Sequence, residues 1–219
     1  MNRAKMTVRA VSNLASTLHR FARDRDGVSA TEFALILPLM LTLYIGSVEL
    51  GDGIAINFKT TLAARTVADL ASQCGVCTVN NTGNNGTIDA TTMQSILNSS
   101  TLVLTPYNQA PYSTSNVVVT LSELEISPNQ TQGAVQWSCS QNGTPHSYAS
   151  MVNIPNNSQL NQLTTNAYVL YGEVSYPYTP SLGYVITSTI TLNQNAMFFP
   201  RLATQITAPT SSQLALCKP

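Results

Sequence analysis

Phe33 to Val48 reads FALILPLMLTLYIGSV, sixteen residues without a charge, bounded by Glu32 and Glu49. As a helix this run is about 24 Å long, short of the roughly 30 Å of a bilayer's hydrocarbon core. Extending it back to Val28 supplies the missing length and brings Glu32 to the edge of the hydrocarbon or into it. An ionised carboxylate there costs about 3 kcal/mol, so Glu32 is a candidate functional residue. A buried core helix shares the composition but does not account for the basic segment before it. A cleaved secretory signal would need a small-residue A-x-A site after the apolar run, and Glu49-Leu50-Gly51-Asp52 continue as helix instead. The expectation is a single membrane-spanning helix.

Charge sets its orientation. The 219-residue chain has no formal net charge, yet Arg3, Lys5, Arg9, Arg20, Arg23 and Arg25 face only Asp24 and Asp26 in the first 26 residues, a net +4. The positive-inside rule puts this leader in the cytoplasm and everything after the span outside. Beyond Leu70 the charged residues are Asp89, Glu123, Glu125, Glu173, Arg201 and Lys218, in a background of Asn, Gln, Ser, Thr and Tyr. Two isolated downstream cations exclude a nucleic-acid binder, which needs clustered Lys and Arg for phosphate contacts.

In the leader, Val8, Val11, Leu14, Leu18 and Phe21 recur at helical spacing. Two readings stay open, an amphipathic helix on the inner membrane surface and a disordered leader. After the span, Ile54, Phe58, Leu62, Val67 and Leu70 share roughly one face, and one long helix is expected from about Ser29 to Gln73, kinked at Pro38. A Gly/Asn cluster from Val79 to Gly86 reads as a linker. Asp89 is a candidate cap for a short helix with Met93, Ile96 and Leu97 buried. Val117, Val119 and Leu121, then Val135, Trp137 and Cys139 across Pro128 to Gly133, give a hairpin signal. Tyr168, Leu170, Val174 and Tyr176 predict a further strand, with Tyr184 to Leu192 and Ala196 to Ile206 as other candidates. The fold class is α+β, a long N-terminal transmembrane helix followed by an antiparallel sheet domain. The expected divisions are a leader over 1–27, the helix over 28–73 and an outer domain over 74–219.

Gly27, then Val-Ser-Ala-Thr, then Glu32-Phe33, resembles the G/xxxxEF processing site of type IV prepilins, and the surrounding residues resemble TadE/TadG pseudopilins of the tight adherence (Flp) pilus. Two later stretches are similar to that family: Glu173-Val174-Ser175-Tyr176-Pro177-Tyr178-Thr179-Pro180 to its E-V-x-Y-x-Y-x-P pattern, and Phe199-Pro200-Arg201 to its late R-P-R element. Asp26 stands where the family more usually has a basic residue, and Phe198-Phe199 where it often has a first arginine. The resemblance implies a pilin-like fold, cleavage between Gly27 and Val28 by a prepilin peptidase, and an assembly role for Glu32 and Phe33. It also implies, as partners, the inner membrane, other pilins and the pilus assembly machinery. Snorkelling of Glu32 to the inner headgroups is the competing reading.

Cys74, Cys77, Cys139 and Cys217 all lie on the outer side by this topology, where oxidation favours disulfides. Of the three possible pairings, Cys139 with Cys217 and Cys74 with Cys77 is preferred. A redox role for Cys74-Gly75-Val76-Cys77 would place the pair at the start of a helix, and here it follows one. Zinc is not expected, since His146 is the sole histidine downstream of the leader and no second C-x-x-C exists. No cofactor is expected either. The chain has no G-x-S-x-G turn, and Glu123 and Glu125, at i and i+2 of a strand, read as a solvated face rather than a glycosidase pair. An enzyme is therefore the third-ranked class. Tyr107, Tyr112, Tyr148, Tyr171 and Tyr178 suit an adhesive surface and half-buried strand positions equally well. The leading expectation is a minor pilin or pseudopilin of the inner membrane, its outer domain periplasmic or at the cell surface. The alternative is a single-pass anchored adhesin or interaction domain that keeps its leader.

Overall fold

The computed structural model describes residues 26–74, 86–107, 117–127, 131–154, 166–180, 188–209 and 217–218. The expectations for the leader and for Cys77, and most of the 79–86 linker, lie outside the described residues. The chain divides into two compact units after Val48.

Helix α1 spans Asp26–Ser72 and continues through Pro38. In the first unit its residues are exposed almost throughout, including Leu35 at 80% and Leu43 at 67%. Thr31, Thr42 and Ser47 turn their hydroxyls onto the carbonyls of Val28, Leu39 and Tyr44, at 2.8, 2.9 and 2.7 Å, so these side chains satisfy their polar groups inside the helix.

The second unit holds the remaining elements: β1 (Gly86–Thr87), α2 (Ala90–Leu104), β2 (Val118–Ile126), β3 (Gln132–Gln141), β4 (Met151–Asn153), β5 (Ala167–Tyr178), β6 (Ile190–Phe198), β7 (Ile206–Thr207) and β8 (Cys217–Lys218). Strands β4-β3-β2-β5-β6 form an antiparallel sheet, with β8 added on β3; β1 and β7 make a short parallel pair. The fold is α+β. The expected hairpin is β2 and β3, and the expected third strand is β5. The two later candidates resolve differently: Ile190–Phe198 is one strand, and of Ala196 to Ile206 only the beginning and the end are strand. Asp89 caps α2, accepting from the Thr92 amide at 2.7 Å, and Met93, Ile96 and Leu97 are buried. A hydrogen bond from the Thr92 side chain, followed by that amide bond, holds the Asp89 carboxyl below its ordinary range.

β2 is central and covered on both faces, which is why seven of its nine positions are buried, all but Val118 and Glu125, with no clean alternation. On one face Val119, Leu121, Leu170, Val174, Tyr176 and Leu192 pack with α1 and α2. On the other, Leu124, Ile126, Val135, Val152, Val169 and Tyr171 form a second cluster.

Candidate functional site

The outer half of α1 meets the sheet through small residues. Ala63, Ala64, Val67, Ala68 and Ala71 are fully buried, whereas Ile54, Phe58, Leu62 and Leu70 are exposed at 63, 70, 45 and 38%. This corrects the expected packing face: of the five apolar residues read as one stripe, Val67 alone is buried. The reason is closeness of approach. A Cβ on Gly172 of β5 would lie 2.8 Å from the Ala64 carbonyl oxygen and 3.1 Å from the Ala68 Cβ, so bare backbone faces a small-residue helix surface there.

The two C-terminal stretches singled out by resemblance both grip this half of α1. Tyr178 donates its hydroxyl to the Glu49 carbonyl at 3.1 Å, and its ring lies 3.5 Å from where a Gly53 Cβ would stand. Tyr176, fully buried, donates to the Tyr107 carbonyl at the end of α2. Arg201 pairs with Asp69 through its guanidinium and donates its amide to the Ser72 carbonyl at 2.9 Å, which caps the end of α1. Lys59 of α1 donates to the Val103 and Thr105 carbonyls at 3.3 and 3.0 Å, closing the C-terminus of α2.

Of the candidate site residues, Gly27, Val28, Glu32 and Phe33 all lie on the exposed first turns of α1, with Val28 54% and Phe33 60% exposed. A side chain at Gly27 would meet nothing within 4 Å. The segment starting at Gly27 has a mean hydropathy of 1.9 in its most apolar window, long and apolar enough to cross a membrane once. Residues 27–69 match the family model of the TadE-like proteins. No curated protein and no solved structure matches the chain. The TadE-like segment thus begins at Gly27, contains Glu32 and Phe33, and ends at Asp69, the residue Arg201 holds. The Glu173–Pro180 and Phe199–Arg201 stretches lie outside it.

The structure joins Cys139 to Cys217, which face each other as register partners of β3 and β8. Cys74 is disulfide-bonded as well. Two groups escaped the sequence reading. Glu123 is fully buried rather than on a solvated face: its Oε1 accepts the Ile206 amide at 2.7 Å, while the Trp137 indole donates to the Ile206 carbonyl at 2.6 Å. Burial raises its carboxyl from the ordinary 4.5 to about 7, against the lowering effect of the Ile206 bond. Glu125, half-buried, takes hydrogen bonds from Gln136 and Asn166 at 3.0 and 2.9 Å. On the sheet face away from α1, His146 Nε2 meets Glu173 Oε2 at 2.6 Å beside a pocket of about 230 Å³ lined by Val118, Thr120, Thr144, Val174, Ser175 and Asn195 among others.

Proposed function

We propose that this chain is a minor pilin or pseudopilin of a tight adherence pilus system, a structural protein rather than an enzyme. The reading rests on the match of residues 27–69 to TadE-like proteins. In it, a prepilin peptidase removes the basic leader between Gly27 and Val28. The span over Val28 to Val48 keeps the protein in the inner membrane, with the sheet domain periplasmic until it joins or primes a pilus. One observation carries the assembly role: beyond the span, Leu50, Ile54, Phe58 and Leu62 continue an exposed apolar row at spacings of four, on the helix side that the protein's own sheet leaves uncovered. A helix apolar past its membrane length is suited to packing against other helices once it leaves the bilayer.

Glu32 becomes the fifth residue of the processed chain, about one turn from the new amino terminus. In a medium of low dielectric it attracts the terminal ammonium of a neighbouring subunit, and either charge alone is costly there, so the pair favours one packing register. Glu32→Gln keeps the shape and removes the charge. The expected result is normal membrane insertion with reduced incorporation into pili and reduced crosslinking to partner pilins; unchanged assembly would favour the headgroup reading.

A further inference from the structure

Past β3 the chain turns back across the sheet face away from α1, and two hydrogen bonds tie it there. Asn142, with φ of 60°, donates its side-chain amide to the Val117 carbonyl at 3.0 Å, and the His146 amide donates to the Ser138 hydroxyl at 3.1 Å. Between these ties Gly143 lies so close to β2 that a Cβ would collide with the Val118 side chain. The returning segment thus stands as a fixed wall on the sheet and brings His146 against Glu173.

The floor beside this wall is set by strand register. Thr120, Glu173 and Asn195 stand side by side on β2, β5 and β6, and Val118, Ser175 and Asn193 form the next row on the same face. Strands lie about 4.8 Å apart and alternate residues about 6.8 Å apart along a strand, so the six side chains cover a patch of about 10 by 7 Å. With Thr144 and His146 on the wall they bound the cavity of about 230 Å³. Drug-sized sites run from about 300 to 1,000 Å³, so this one suits a ligand the size of a single sugar ring.

The lining narrows the chemistry of that ligand. It has no Lys or Arg to hold an anion, and no Phe, Tyr or Trp to hold an apolar ring. Its single carboxylate, bonded to an imidazole, falls short of the six or more oxygens a calcium ion takes, and the pair supplies two of the three or four side chains zinc takes. Among the described residues no hydrogen bond engages the side chains of Thr144, Ser175, Asn193 or Asn195. These hydroxyls and carboxamides both donate and accept, while the Glu173 carboxylate accepts, which matches a ring of hydroxyls that do both.

We propose that this cavity is a binding site for a neutral sugar residue, with Glu173 and Asn195, neighbours across β5 and β6, taking adjacent ring hydroxyls and Thr144 and His146 closing one side. The inference does not rest on the pilin reading. Without an aromatic platform for the ring, the affinity of one site is in the millimolar range.

The test uses the full chain in a detergent without a sugar headgroup, with methyl α-D-glucoside, methyl α-D-mannoside and methyl β-D-galactoside as probes. Saturation-transfer NMR is expected to show saturable binding of at least one of them. Asn195→Ala, at an exposed position, weakens that binding about tenfold without moving the thermal midpoint, and Glu173→Gln weakens it at least as much. If Glu173→Gln also lowers the midpoint, Asn195→Ala decides. Ser95→Ala, on the exposed side of α2, leaves binding unchanged. Glucuronate, which adds a carboxylate to the ring, binds more weakly than the best neutral probe. No saturable binding of any of the three glycosides, binding indifferent to Asn195→Ala, or glucuronate binding as well as the best neutral probe would each overturn the proposal.

Discussion

Glu123 sits where a carboxylate is least comfortable, on the central strand with no exposure, and its retention follows from what it holds. Together with Trp137 it takes both backbone groups of Ile206, fixing the segment that makes β7. The sequence pattern suggested solvent because Glu123 and Glu125 alternate with apolar residues; that β2 is flanked by β3 and β5 and roofed by other elements depends on contacts far along the chain. The bulge between Glu123 and Leu124 in the pairing with β3 is equally invisible locally. Since the folded carboxyl titrates near 7 against an ordinary 4.5, the folded state binds the extra proton between these values. Stability therefore falls as pH rises from 4.5 to 7 and levels off above, a span of about 3 kcal/mol if the shift is fully expressed. Glu123→Gln should flatten that part of the thermal-unfolding profile between pH 5 and 7.5 in detergent. A slope equal to that of the unmodified protein would place the titration elsewhere.

α1, the Asp89 cap of α2 and the β2–β3 hairpin were all legible because each depends on neighbours in sequence: an uninterrupted helical run, a capping carboxylate three residues before its amide, and alternation across a turn. The buried face of α1 was not. Ile54, Phe58 and Leu62 are the large apolar residues, yet the sheet takes the alanine side, a choice made by Gly172 more than 100 residues away. Gly172→Ala should accordingly cost about 1 to 3 kcal/mol by overpacking, read as a lower midpoint of thermal unfolding. Gly27→Ala, at a position with open space, should leave that midpoint unchanged. Equal effects at both positions would mean that the close approach of helix and strand does not limit packing. The Cys139–Cys217 bridge, whose ends are 78 positions apart in sequence, adds up to about 4 kcal/mol in the loop-entropy account and ties β8 to the sheet.

The chain combines an apolar helical segment with a second unit in which the outer half of α1 packs on an antiparallel sheet. The anchor was readable from charge asymmetry and an apolar run, and the TadE-like match over residues 27–69 agrees with the resemblance carried by Gly27, Glu32 and Phe33. The C-terminal Tyr and Arg stretches resemble a family pattern in sequence, but their part in gripping α1 appears only in three dimensions. The central claim, a pilin processed at its leader, is tested most directly by the intact mass of the protein extracted from membranes of cells that contain a prepilin peptidase. The account predicts a chain lacking residues 1–27 and beginning at Val28, and a Gly27→Val form that accumulates uncut. Recovery of the unmodified protein with Met1 or Asn2 at its terminus would contradict it.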